Sequence, residues 1–191
     1  MIKKNISIDA SPLVRFQLQN GKEDPKEFQQ YINTLIKEDT YLLVKKQVTL
    51  KEETHWLANQ YQLQKKGGQL FLKVLAEDRL IGTGFAQSGF GRNQGNVNLG
   101  LALLKPWRGK GIGRMLLEEL IVRSMKKWHP KNIYLHVISS NTRAQKLYKT
   151  VGFRLIAKLP EWFEYHTHYL DEYLLILDQN YFLKQKKKSN G

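Results

Sequence analysis

Seven residues, Arg108-Gly109-Lys110-Gly111-Ile112-Gly113-Arg114, constrain what this chain can fold into more than any others. They follow an apolar run, Val97 to Leu104, that reads as a strand, and they open a segment in which Ile112, Leu116, Leu120 and Ile121 recur with helical spacing. Glycines at a strand-to-helix junction tolerate the positive φ angles that turn successive amides inward, and they carry no Cβ to block a ligand. Those amides lie at the positive end of a helix dipole, with Arg108, Lys110 and Arg114 around them. The arrangement predicts a phosphate ligand.

The two common phosphate loops do not fit. No Gly-Lys-Ser or Gly-Lys-Thr completes a Walker A loop, and Gly109-x-Gly111-x-Gly113 lacks the G-x-G-x-x-G spacing of a dinucleotide fingerprint. The run matches R-x-x-G-x-G, with Arg108, Gly111 and Gly113 in the fixed places. Downstream, after a predicted strand from Ile133 to Val137, Asn141 to Phe153 matches N-x-x-A-x-x-L-Y-x-x-x-G-F. On these two motifs the chain resembles the GNAT superfamily of acetyl-CoA-dependent N-acetyltransferases. The resemblance is clear from about Leu70 to Phe153 and architectural outside that span.

The length of 191 residues suits one domain, expected over 1–180, followed by a basic tail over 181–191. No apolar run approaches the roughly 20 residues of a membrane span. Met1 to Ser7 carry charge without the apolar core of a signal peptide, so a cytoplasmic location is expected. The absence of cysteine excludes acyl transfer through a thiol nucleophile. The net charge of +14 favours anionic partners: nucleic acid, a membrane surface or a polyanionic cofactor. Eight lysines and arginines between Lys105 and Lys131, against Glu118 and Glu119, place much of that charge around the phosphate loop. The run Lys184 to Gly191 reads first as a solvated tail, with a nucleic-acid or ribosome contact as the lesser reading.

The coarse order is a strand at 13–18, helices from Pro25 to Lys37 and from Thr49 to Gln64, and a hairpin of Leu70–Ala76 with Leu80–Gln87. The central strand, the helix after the glycine loop, strand 133–137, helix 141–150 and strands 153–160 and 169–177 follow. Thr49 and Glu52 have capping-box spacing. Together with the resemblance this implies an α/β fold: a mixed, mostly antiparallel sheet flanked by helices and splayed between the central strand and the next. The first two helices then border the acceptor cleft.

The resemblance also implies roles. Acetyl-CoA is the cosubstrate, with a primary amine of a protein N-terminus, a lysine or a small molecule as acceptor. Backbone groups of Leu101, Ala102 and Leu103 meet the pantetheine arm, and Arg108, Gly109, Lys110, Gly111, Ile112, Gly113 and Arg114 hold the pyrophosphate. Asn141 is a good helix N-cap by its residue type, and the matching family residue also bonds the cofactor arm. Tyr148, at the edge of the Ala144, Leu147 and Val151 stripe, matches the family's general acid. The central strand lacks the Glu that some relatives carry, and His136, out of phase with Leu135 and Val137, is the best substitute base. Glu164, His166 and His168 share a face of an extended segment, but nothing completes a metal shell, so no metal is expected. A non-catalytic CoA-binding module and a basic nucleic-acid-binding protein are the alternative readings.

Overall fold

The computed structural model describes residues 5–6 and 13–189; most of the Met1 to Ser7 segment and the last two residues of the basic run lie outside the described residues. In chain order the elements are β1 (Asn5–Ile6), β2 (Val14–Leu18), α1 (Pro25–Lys37), α2 (Leu50–Lys65), β3 (Gln69–Ala76), β4 (Arg79–Ser88), β5 (Asn96–Leu103), α3 (Ile112–Trp128), β6 (Asn132–Ile138), α4 (Thr142–Val151), β7 (Phe153–Tyr165), β8 (His168–Leu177) and α5 (Gln179–Ser189), with short 3-10 turns at Gly91–Asn93 and Lys105–Trp107. The eight strands form one sheet in the order β1-β2-β3-β4-β5-β6-β8-β7. Every pairing is antiparallel except β5 with β6, which runs parallel and only from Asn96–Asn98 against Asn132–Tyr134. Beyond Asn98 the two strands part.

Side-chain caps start the first two helices. Asp24 caps α1 by accepting from the Lys26 amide at 2.9 Å, and Pro25 presets the first turn. Thr49 and Glu52 close a reciprocal capping box on α2. One face of the sheet then buries α3, whose Leu116, Leu117, Leu120 and Ile121 have no exposed surface. They pack with Leu72, Val74, Val97, Leu99, Ile133 and Leu135, each such side chain contributing about 1.5 to 3 kcal/mol. The opposite face is covered by α1 and α2 through Phe28, Tyr31, Leu35 and Leu57, which meet Phe71, Leu75 and Leu80. Three layers result, with the parted strands between them.

Two expectations change at the carboxyl end. Residues 181–189, expected in the basic tail, belong instead to α5, because Phe182 is only 2% exposed and joins the main core. Lys186 adds an ion pair to Glu118 of α3. A run of like charges had masked one anchoring aromatic. The last two strands also run further than 153–160 and 169–177, meeting at a tight tip around His166–Thr167. Pro160 cannot donate to the ladder, and the register of β7 shifts between Leu159 and Phe163.

Glu53 of α2 is 5% exposed and its carboxylate has no hydrogen-bond or ion-pair partner among the described residues. Burial pushes its pKa up to about 7. The folded protein therefore holds a proton that the unfolded chain releases near pH ~4.3, so stability falls as pH rises from there to about 7. Glu53→Gln removes the titration. The Tm of the variant exceeds that of the wild type at pH 8 and converges with it at pH 4, as differential scanning calorimetry across that range would read.

Candidate active site at the parted strands

The phase of the β4–β5 ladder determines what the gap presents. Leu104 donates its amide to Ile81 at 3.0 Å, and bonded pairs alternate along an antiparallel ladder. Ala102 therefore turns its backbone groups to Thr83, while those of Leu101 and Leu103 point across the gap toward β6. The carbonyl of Ala102 also accepts from the Tyr31 hydroxyl at 3.0 Å, and that of Leu103 accepts from Arg108 Nε at 2.7 Å. Of the three positions expected to meet a ligand arm, Leu101 keeps both backbone groups free toward the gap. The side chains of Leu101 and Leu103 lie under Gly113, on the α3 face.

Past the end of β5 the loop reaches α3. Gly109 and Gly111 have φ of +82° and +78°, values that L residues adopt at a cost of about 1 to 2 kcal/mol. The first helical bond runs from the Met115 amide to the Gly111 carbonyl at 3.1 Å. No acceptor among the described residues takes the amides from Gly109 to Arg114. A Cβ on Gly111 would meet no atom within 4 Å, so the loop is an open concavity of unpaired donors. Around it stand Lys110, over the Trp107 ring at 5.2 Å, Arg114, paired with Glu118 at 2.9 Å, and Arg143, whose guanidinium lies 2.6 Å from where a Gly109 Cβ would sit. A diphosphate fits this donor set. The Arg108 side chain points elsewhere: besides Leu103 it engages Glu38 at the end of α1.

The opposite face of the gap is lined from β5, β6 and β8. Asn98 sits where the strands separate, its Oδ1 buried and without a partner among the described residues. Beside it across the parallel pairing is Tyr134, and one step on is His136. The His136 ring lies edge-on to Tyr134 at 5.9 Å, and its Nδ1 is 3.0 Å from Glu172 Oε2 of β8.

The connection from α1 to α2 crosses the mouth of the gap. Glu38 accepts from the Lys105 amide at 2.9 Å, just past β5, and the Tyr41 hydroxyl accepts from Ser140 at 3.0 Å, just past β6. The β7–β8 tip closes on the same segment: Tyr165 donates to Asp39 at 2.6 Å, His166 Nε2 lies 3.2 Å from the same carboxylate oxygen, and Lys45 pairs with Glu164 at 2.5 Å. The Tyr165 hydroxyl is held protonated by that bond, its pKa pushed up to about 12. Tyr41 also packs against Tyr165 and Phe163, at ring distances of 5.2 and 6.4 Å. His166 and Glu164 are thus committed to this strap, and among the described residues no group of three or more His, Asp or Glu is placed to hold a metal ion.

On the α3 side, Asn141 caps α4 by accepting from the Ala144 amide at 3.2 Å. Tyr148 is 8% exposed, with its ring 6.0 Å from Phe153. Its hydroxyl has no hydrogen-bond partner among the described residues, and burial pushes its pKa up to about 12. Sequence reasoning missed Glu38, Asp39, Tyr41 and Glu172, because none lies in a motif and each is defined by a partner distant in the chain.

Residues 30–153 match the Acetyltransferase (GNAT) family. N-alpha-acetyltransferase 60 of Xenopus tropicalis is 34% identical over 110 residues, covering 56% of this chain and 44% of that protein. Histone acetyltransferase MCC1 of Arabidopsis thaliana is 31% identical over 78 residues, covering 41% of this chain and 32% of that protein. The match thus spans less than half the length of either relative. Among solved structures, ribosomal-protein-S5-alanine acetyltransferase of Vibrio fischeri superposes with a TM-score of 0.78 over 91% of this chain and 95% of its own, at 16% identity. The putative acetyltransferase yncA of Salmonella typhimurium, solved with its cofactor acetyl-CoA, gives 0.73 over 86% and 92%, at 17% identity; at such identities the likeness speaks for the fold alone. Because the family match runs from within α1 to the first residue of β7 and takes in both strands that part, this chain belongs to the GNAT acetyltransferase family.

Proposed function

We propose that the protein transfers an acetyl group from acetyl-CoA directly to a primary amine, and that its acceptor is the α-amine of a protein or peptide N-terminus. The observation that carries the first part is the open concavity of unpaired amides from Gly109 to Arg114 beside a free strand edge. Those amides, with Lys110, Arg114 and Arg143, would hold the diphosphate, and Leu101 would pair with the pantetheine arm. Asn141 keeps its amide nitrogen for that arm while its oxygen caps α4. The thioester, when bound, supplies an activated acyl carbon.

The chain's own residues then manage protons. An amine must arrive neutral: a lysine with pKa about 10.4 costs roughly 4 to 5 kcal/mol at pH 7, an α-amine near 8 only about 1.4 kcal/mol. His136, backed by Glu172, is suited to accept the proton of the second. Tyr148, still protonated at neutral pH, donates to the departing thiolate. The strap of Asp39, Tyr41, Tyr165 and His166 across the mouth favours a chain end that enters lengthwise. The relative named for N-alpha acetylation supports the same choice.

Thiol release measured with acetyl-CoA and paired peptides tests this reading. A free-N-terminal peptide without lysine is expected to stimulate release, and an N-terminally blocked peptide with an internal lysine to give less than a tenth of that rate. The reverse order would overturn the acceptor assignment. Tight acetyl-CoA binding with no stimulation by any amine would instead favour the non-catalytic module.

A further inference from the structure

We infer that Glu172 is a positioning residue: it fixes His136 as the Nδ1–H tautomer and presents Nε2 as the nitrogen with a free lone pair. The inference rests on the proposed role of His136 but is read out separately from it. The β6–β8 register pairs Ile138 with Glu172 and His136 with Leu174, so Glu172 is the diagonal neighbour of His136 on one face of the sheet. Its Oε2 lies 3.0 Å from Nδ1, and its side chain is 13% exposed.

The choice of partner is informative. The chain has 31 lysines and arginines against 17 acidic residues, yet among the described residues this shielded carboxylate pairs with none of them. Lys158 goes to the adjacent Asp171 instead. A carboxylate so placed accepts only, so the neutral imidazole keeps its single proton on Nδ1. Nε2 has no partner among the described residues. The titratable groups in contact with the ring are Tyr134 on its own strand and Glu172 on β8. When the acceptor nitrogen releases its proton to Nε2, the imidazolium that forms lies against an existing negative charge, and the proton later leaves from Nε2 to solvent.

The test needs no bound acetyl-CoA. Ring nitrogen shifts of 15N-labelled full-length protein, with His136→Gln to assign the signal, are expected to show a protonated Nδ1 and an unprotonated Nε2 at pH 8. In Glu172→Gln the ring is expected to show mixed tautomers at the same pH, and kcat/KM to fall several-fold with the affinity for coenzyme A unchanged. Glu172→Asp is expected to retain the tautomer. An Nε2–H form in the wild type, or a Glu172→Gln protein with an unchanged tautomer, would overturn the inference. The base assignment fails independently, if His136→Gln turns over at the wild-type rate while the nitrogen shifts come out as expected.

Discussion

Gly111→Asp is expected to raise the dissociation constant for coenzyme A at least 100-fold while the protein remains folded. Two terms separate cleanly at this position. The backbone stands at φ +78°, where a side chain costs about 1 to 2 kcal/mol, but a Cβ there would touch nothing within 4 Å. There is no clash to unfold the loop. The carboxylate would project among the amides from Gly109 to Arg114, about 4 to 5 Å from a bound diphosphate charge, where repulsion at an effective dielectric of 20 is roughly 3 to 4 kcal/mol. That is about two to three decades in affinity. Gly111→Ala bears the backbone cost without the charge and should lose only a few-fold. Calorimetric titration of coenzyme A into both variants reads the difference; equal losses would mean that the loop acts through shape alone, and no loss in either would remove the loop from the site.

How much of this was legible in the sequence follows from how local each feature is. The glycine loop, the Asn141 cap and the Thr49–Glu52 box are complete within a few residues, so spacing alone exposed them. The alternation of Leu135, His136 and Val137 likewise put His136 on the face away from α3. Its partner could not be read, because β8 enters the sheet between β6 and β7 and only that order sets Glu172 diagonal to His136. The same holds for the strap: Glu38, Asp39 and Tyr41 look like an ordinary helix exit until Lys105, Ser140 and Tyr165 are brought to them from 67, 99 and 126 residues away. Arg108 shows the converse limit. Its place in the motif is fixed, yet its guanidinium ties the end of β5 to α1, so the motif arginine here shapes the loop from behind.

Tyr148→Phe is the second substitution with a large expected effect, and it falls on turnover alone. The ring sits in the core beside Phe153 and Val151, and phenylalanine preserves that packing, whereas alanine would leave a cavity costing about 3 to 5 kcal/mol and confound the result. What is lost is a hydroxyl whose pKa burial has pushed up to about 12. Such a group stays protonated across any working pH, so it is always available to donate and gives no alkaline limb of its own below about pH 11. A thiolate leaving without a donor forfeits the contribution of a positioned acid, typically 10² to 10⁴ in rate. The variant should therefore bind coenzyme A as the wild type does while kcat falls at least 100-fold. Its stability should also lose one pH dependence. Wild-type protein retains this proton between about pH 10 and 12 while the unfolded chain releases it, so its stability declines over that interval, and the decline should be shallower in Tyr148→Phe. A variant with that altered alkaline slope but undiminished kcat would leave Tyr148 as a core residue and pass the protonation of the leaving group to solvent.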